Sequence, residues 1–563
     1  MTRCQDFPGR GSDRFALALG PTNGTRSGCS AHGPDRTCDT VPTPIPSPPL
    51  PDTRRPRWWP VLLLCGVAAA RWVQIWVFRD YDTQFKLEHS YTILRVWGPA
   101  MLVWWTLLSR LSWRTRVAGW VCLALSAGLF TAAFRVRGID GNRLPIVEFR
   151  WKSGRSGPTA SPPHTNGFPP ANLTEAPPLP AFPRFLGPTG NGSLSGPTLV
   201  TNWTQSPPVE LWRQPVGEGW AGFAVEGSDA ITLEQQGTDE AIVCRVARTG
   251  AVRWIQRYPA RYENASAGNG PRSVPTLDAD SCWTTGATGV LTCVARRDGR
   301  VLWQVQVLRD AGSAQPEWGY SPSPLLHEGW IVVAAGGPDG ASLVAYDKRT
   351  GRRVWAGGND PVGYSSPVRL TFDGTPQLLL FSHVGVAAHD PRTGQILWSH
   401  RTARIPNVTL PMAIDDHHVL VSAGYGYGAE LLELQRTNQG AWSVKPVWRS
   451  IRMKSKFSNL VMRDGHLYGF DDGTFACIRL SDGERVWKEG RYGHGQLLQV
   501  GAVTLVTTES GEVVLLDPTP AGPGERTRFR ALEGKTWNPP ALAGDLLFLR
   551  HDREAVCFRL PTR

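Results

Sequence analysis

The hydrophobic pattern divides the chain into four parts. Residues 1–56 are polar and Pro-rich, ending in Pro42-Thr-Pro-Ile-Pro-Ser-Pro-Pro-Leu-Pro51. They cannot bury enough apolar surface to fold alone and are expected to be disordered. Three apolar stretches follow, at about 58–78, 91–109 and 117–134. At a rise of about 1.5 Å per residue each reaches roughly 27 to 31 Å, enough for a bilayer, so 57–137 reads as a membrane domain of about three transmembrane helices. A cleaved signal peptide is the competing reading of the first stretch, yet it starts late and two further apolar segments follow it. Arg71 and Arg95 lie within the first two stretches, where a charge costs about 2.5 to 3.5 kcal/mol unless it snorkels or faces a neighbour. A linker over 138–181, Pro-rich from Ser153, acts as a semi-extended spacer.

Beyond it the pattern changes to short strands broken by turns, with no helix-period segment. One motif recurs: Val246-Ala-Arg-Thr-Gly-Ala-Val-Arg-Trp254, Ala295-Arg-Arg-Asp-Gly-Arg-Val-Leu-Trp303, Tyr346-Asp-Lys-Arg-Thr-Gly-Arg-Arg-Val-Trp355, His389-Asp-Pro-Arg-Thr-Gly-Gln-Ile-Leu-Trp398 and Arg479-Leu-Ser-Asp-Gly-Glu-Arg-Val-Trp487. Each copy is a hairpin in which Asp347 or Asp390 bonds backbone amides ahead of it and Gly351 or Gly394 supplies a positive φ. Weaker copies end at Trp212, Trp448 and Phe529. Spacing runs from 39 residues (Trp448 to Trp487) to 52 (Trp303 to Trp355). A period in the forties with four short strands per unit predicts β-propeller blades, eight of them, preceded by the transmembrane helices.

The ends of this region complete one another. Glu554-Ala-Val-Cys-Phe-Arg-Leu560 matches the strand before each turn but lacks the tryptophan strand, and Glu210-Leu-Trp-Arg213 is a tryptophan strand without its predecessor. Together they form one blade and close the ring without an open edge, over 182–563. The blade residues Trp212, Trp254, Trp303, Trp355, Trp398, Trp448 and Trp487 are read as structural, packing between blades.

Composition agrees: Gly 60, Pro 47 and Trp 24, with only 19% charged residues, suit strands and tight turns. The net charge of +12 is scattered, and no basic helix or basic-aromatic motif points to nucleic acid. Part of the charge flanks the apolar stretches. Arg54, Arg55 and Arg57 precede the first, and Arg110, Arg114 and Arg116 lie between the second and third. The first loop mixes Arg79 and Lys86 with Asp80, Asp82 and Glu88. The positive-inside rule then puts the N-terminus in the cytoplasm, and an odd number of spans sends the C-terminal domain outside. The ten cysteines include no CxxC and no adjacent pair, so no zinc site, metal site or redox dithiol is signalled. Cys244, Cys293, Cys477 and Cys557 recur at one repeat position as small core residues. Cys282 and Cys293 could face each other across one hairpin, where an oxidising compartment would let them bridge.

The Ala-x-Asp-x-x-Thr-Gly-x-x-x-Trp run, clearest at Ala345 to Trp355 and Ala388 to Trp398, resembles the pyrroloquinoline-quinone (PQQ) repeat. From about Phe182 onward the chain is similar to bacterial membrane-associated PQQ-like propeller proteins, often grouped with the BamB-like lipoprotein of outer-membrane β-barrel assembly. The lead-in Phe182-Pro-Arg-Phe-Leu-Gly-Pro-Thr-Gly-Asn-Gly192 shares the resemblance. No lipoprotein cleavage signal is present, the expected anchor being transmembrane. With the apolar stretches and their basic flanks, the resemblance leads to the expectation of a multi-pass protein of the bacterial cytoplasmic membrane, its propeller in the periplasm, with an envelope protein or small ligand as partner. A more distant resemblance, to quinoprotein alcohol dehydrogenases, implies PQQ and Ca as cofactors, but the adjacent cysteines of that family are missing and none of its site residues carries over.

In a propeller the link after each outermost strand crosses one face and delivers the next innermost strand to the central channel, so ligand sites collect on those links. The candidates here are Trp220, Arg261, Glu263, Glu317, Trp318, Tyr364, Asn407, Lys456, Asn459, Arg491, His494, Lys535, Trp537 and Asn538. Aromatic platforms beside cations and amides suit a sugar, a peptide segment or an anionic cofactor. The same residues also suit sharp strand entries whose side chains satisfy backbone groups. No nucleophile-base pairing is legible, which favours an interaction or ligand-binding module. A quinone-dependent oxidoreductase is the alternative, and an intracellular WD40-like scaffold would need the opposite topology.

Overall fold

The computed structural model describes residues 57–79, 81–151 and 178–563, apart from the Arg137 side chain. The expected disorder of 1–56 and most of the Pro-rich spacer lie outside the described residues.

Three helices come first. α1 is Trp59–Val77, with a proline in its first turn where a missing N–H costs nothing. α2 is Thr83–Val103 and continues into a π-turn, Trp104–Leu108. α3, Trp113–Ala133, is capped by Ser112, whose Oγ accepts the Thr115 N–H at 3.3 Å. Only α1 and α3 are long and apolar enough to cross a membrane, so the described residues hold two such helices where the hydrophobic pattern predicts three. The reason is where α2 begins. It starts eight residues before the apolar stretch, and its first turns carry Gln84, Lys86, Glu88 and His89. Large apolar side chains on the other two face outward, Leu63 at 60% and Leu129 at 71% exposure among them. A short hairpin follows, β1 Phe134–Ile139 against β2 Pro145–Phe149.

The rest is β. Among the described residues, eight antiparallel sheets follow in chain order, each built on four strands, two of them gaining a fifth from the lead-in: β3, Leu179–Phe182, on the first sheet and β4, Ser193–Leu194, on the seventh. In all eight the ladder between the third and fourth strands carries a bulge at one repeat position, such as Cys244/Arg245, Ala388/His389 and Cys557/Phe558. A bulge at a fixed place gives every sheet the same local twist and aims the same side chain.

In seven of the eight sheets that side chain is the repeated tryptophan. It sits opposite a small buried residue of the third strand: Trp254 opposite Cys244, Trp303 opposite Cys293, Trp355 opposite Ala345, Trp487 opposite Cys477. Five of the rings, those of Trp212, Trp254, Trp303, Trp355 and Trp448, then lie on the turn glycine of the next sheet. A Cβ on Gly250 would fall 2.6 Å from Trp212, on Gly299 2.5 Å from Trp254, and on Gly394 2.4 Å from Trp355. The indole N–H often completes the contact, Trp212 to the Ala247 carbonyl, Trp254 to Arg296 and Trp448 to Leu480, each at 2.8 Å. Glycine therefore serves twice in this turn, allowing a φ near 70° and leaving room for the ring.

Two sequence readings are corrected by register. The eighth copy does not place Phe529 at the tryptophan position: Thr527 stands opposite Leu515, and Phe529 lies two residues on, opposite Val513. Trp203 of the lead-in packs edge-on against Phe529 at 5.3 Å, so an aromatic from outside the repeat fills this place. Cys282 and Cys293 do not face each other. Cys282 pairs with Val294 and Cys293 with Trp283, which puts the two on opposite faces of the sheet, and both thiols are free.

The eighth sheet is made from both ends of the repeat region. Strand Glu554–Arg559 pairs with β5, Val209–Pro215, and the innermost strand Ala541–Ala543 touches Ala224–Gly227 of the first sheet. One apolar cluster joins these ends, including Trp212, Phe223, Phe548, Cys557 and the lead-in residues Phe182 and Leu186.

Candidate binding site at the channel mouth

The links between sheets meet around a cavity of about 190 Å³, and every one of the eight contributes: Trp220, Arg272, Trp318, Tyr364, Val408, Lys456, Gln496 and Trp537 in chain order. Phe185 of the lead-in also lines it, as does Tyr425 from the hairpin turn Gly424-Tyr-Gly-Tyr-Gly428. Two aromatic walls result. Trp318 stacks between Tyr364 and Tyr425, with ring centroids 5.2 and 6.0 Å away and planes within 24°. Trp537 contacts Trp220 at 5.2 Å and Phe457 at 5.1 Å. Lys535 lies 4.0 Å over Trp537 and 4.7 Å over Trp220, and Lys456 5.0 Å over Tyr425. The Trp220 indole N–H is buried and has no hydrogen-bond partner among the described residues.

The start of α2 and the hairpin that follows α3 dock here. At the start of α2, Asp472 Oδ2 accepts the Thr83 N–H at 2.7 Å and so supplies the N-cap from another sheet, while Asp82 turns away to accept the Gly426 N–H at 2.7 Å. Gln84 accepts from Lys456 Nζ. The tip of the β1–β2 hairpin sits beside it. Glu509 Oε1 accepts the Gly141 N–H at 2.7 Å, His494 Nε2 lies 2.9 Å from Asn142 Oδ1, Lys535 donates to the Ile139 carbonyl at 3.2 Å, and Lys456 donates to the Gly141 carbonyl. Gln84, Ile139, Asp140, Gly141 and Arg143 thereby become part of the cavity wall.

Burial sets the electrostatics. It pushes Lys456 and Lys535 each down to about 8, with Asp and Glu neighbours pulling the other way. It pushes His494 down to about 4, aided by the Lys456 charge, so the ring is neutral near pH 7. Glu509 is driven up by burial, but the His494 neighbour and the donors of His494, Trp537 and Gly141 outweigh that and hold it below the ordinary carboxylate value. The site thus holds cations that are easily discharged beside a carboxylate that stays ionised.

Residues 238–489 match the sequence model of a family described as PQQ_2, outer membrane protein assembly factor BamB. The chain is a PQQ-repeat, β-propeller-like protein. Among solved structures this PQQ-repeat protein is similar to BamB from Moraxella catarrhalis, at 15% identity and a TM-score of 0.45 over 63% of this chain and all of that one. It is similar to the computationally designed Ika8 protein, at 12% and 0.45 over 62% of this chain and 99% of that one. A third is a quinohemoprotein alcohol dehydrogenase from Pseudomonas putida HK5, at 10% and 0.36 over 63% and 76%. No curated protein matches the chain.

Of the residues singled out from sequence, Trp220, Trp318, Tyr364, Lys456 and Trp537 line the cavity, and Lys535 and His494 hold the hairpin tip above it. The others do not meet there. Arg261 pairs with its neighbour Glu263 at the surface, Arg491 is exposed at a strand end, and Glu317 offers only its backbone carbonyl, to Tyr262 and Asn264. Asn407, Asn459 and Asn538 satisfy backbone groups, bonding the Ser382 carbonyl, the Leu410 N–H and the Ala221 carbonyl. Arg272, Tyr425, Phe457 and Glu509 join the site in the structure; the first and third lie on the links, Tyr425 carries a sequence signal in its glycine-flanked turn, and Glu509 carries none. Among the described residues no three His, Cys, Asp or Glu side chains are grouped to hold a metal ion.

Proposed function

We propose that this PQQ-repeat protein is a membrane-tethered, eight-bladed propeller that works as a binding module, taking a protein segment or small ligand at the channel mouth on the outer side of a bacterial cytoplasmic membrane, without catalysis. The observation that carries this reading is the cavity to which all eight links contribute, with aromatic walls and buried cations. Such a site grips planar or apolar groups by stacking and a polar or anionic group by charge.

The helix arrangement supports the orientation. Arg57 N–H reaches the Ser109 carbonyl, and Arg116 reaches Thr106, so the start of α1, the end of the π-turn and the start of α3 share one end with Arg57, Arg110, Arg114 and Arg116. Asp82 and the hairpin that contact the mouth lie at the other. The two apolar helices α1 and α3 both run from the basic end toward the end that meets the mouth, which favours the cytoplasm for the basic end and the outside for the propeller.

Thermal-shift measurements on the detergent-solubilised full chain, against glycans, envelope-protein peptides and the quinone with Ca²⁺, test the binding role. At least one glycan or peptide is expected to raise Tm in the wild type and not in Trp318→Ala. Dye-linked alcohol or sugar oxidation on adding the quinone would overturn it, as would no shift with any probe. A phosphatase reporter fused after Arg563 tests the side: activity confined to the cytoplasm is incompatible with this orientation.

A further inference from the structure

The contacts that hold the β1–β2 hairpin at the mouth are recognition contacts for backbone. Lys535 and Lys456 take the Ile139 and Gly141 carbonyls, and Glu509 takes the Gly141 N–H. His494 bonds a side chain of the tip, Asn142. Gly141 is demanded by the approach itself, since a Cβ would fall 2.2 Å from His494 Cδ2. The turn arrives preformed: Asp140 Oδ1 accepts the Asn142 and Leu144 N–H groups at 2.9 and 2.8 Å. The cavity beside the tip leaves room for the side chains that flank such a turn.

We infer that the channel mouth is a receptor for a tight peptide turn of the type Asp-Gly-Asn, filled in cis by the chain's own hairpin and yielded to the same kind of turn on a partner protein. This rests on the mouth being a binding site and names what it binds. Backbone recognition makes the pocket tolerant of flanking sequence but intolerant of a side chain at the glycine. The cis turn is present at a high effective concentration, so a free turn competes poorly until the hairpin lets go.

The test uses the full chain in detergent and a fluorescent cyclic peptide of sequence Ile-Asp-Gly-Asn-Arg-Leu, read by anisotropy, with hydrogen exchange reporting on residues 139–143. Gly141→Ala is expected to speed exchange across the tip and to tighten peptide binding at least tenfold over wild type. Asn142→Ala should do the same more weakly. Adding Glu509→Ala to Gly141→Ala, or placing Ala at the peptide's glycine, should abolish the gain. A released tip with no gain in peptide binding overturns the inference, and so does a Gly141→Ala tip that stays protected. Ligand-induced stabilisation that needs Trp318 would survive either result, so the broader binding role and the turn receptor fail separately.

Discussion

Trp212 stands directly opposite Cys557 in the eighth sheet, so the strand that opens the repeat region is held by the strand that ends it. The indole reaches onward to the Ala247 carbonyl of the first sheet, and its ring meets Phe223 and Phe548. One side chain therefore ties three strands from opposite ends of the sequence.

Removing it should open that seam. Trp212→Ala is expected to cost about 3 to 5 kcal/mol, the usual range for deleting a buried aromatic. The drop in Tm, together with faster exchange in strands 209–215 and 554–559, measures it; a loss below about 1 kcal/mol would contradict the role given to the residue.

The indole hydrogen bonds separate two otherwise similar tryptophans. Trp254 donates to the Arg296 carbonyl at 2.8 Å, whereas the Trp355 N–H is buried without a partner among the described residues. Trp254→Phe should therefore be more destabilising than Trp355→Phe by about 1 kcal/mol, through the lost bond and the carbonyl left behind. Denaturant midpoints of the two variants decide the order.

Turn glycines allow conformation and packing to be weighed apart. Gly394 has φ 75° and a Cβ there would meet Trp355 at 2.4 Å; Gly340 has φ 74° and nothing within 4 Å. Gly340→Ala should cost about 1 to 2 kcal/mol for the left-handed backbone alone. Gly394→Ala should cost clearly more, and equal losses would mean that the tryptophan moves aside freely.

Acid should weaken the mouth through His494. Burial lowers this group to about 4 from an ordinary 6.5. Between those values the unfolded chain binds a proton that the folded chain does not, so stability falls as pH drops through that window. His494→Gln should flatten part of the change in Tm between pH 7 and pH 5; a residual slope is expected because His327, His383 and His389 are also lowered by burial. An unchanged slope would show that His494 is not the titrating group.

Arg550 is the polar counterpart of Trp212 at the same seam. It is 1% exposed and donates to Thr232 Oγ1, the Leu233 carbonyl and the Gly217 carbonyl of the first link. Arg550→Met keeps the volume but strands these acceptors, and about 3 kcal/mol of destabilisation is expected. Loosening of the 217–220 link by hydrogen exchange is the accompanying sign.

The repeat was legible because its turn needs glycine and its fourth strand needs tryptophan, and both are spelled out five times. The eighth copy misled for the same reason: Phe529 looked like the missing aromatic, and only pairing showed Thr527 in that register. Cys282 and Cys293 misled through a one-residue offset, which moves a side chain to the other face. Among the site residues, Trp220, Trp318, Tyr364, Lys456 and Trp537 could be found because they sit on links whose topology sends them to one place. Asn407 and Asn538 share those links but satisfy backbone groups, a distinction composition does not carry.

Local chemistry thus determined the hairpins, the order of the sheets and the tryptophan seams, since each depends on residues a few positions apart and on a period set by strand length. What covers the mouth was decided only in three dimensions. Glu509 and Gly141 are 368 residues apart, and no periodicity relates them. Their hydrogen bond exists because closing the ring gathers eight links into a single rim and the hairpin after α3 reaches that rim with a turn small enough to enter it.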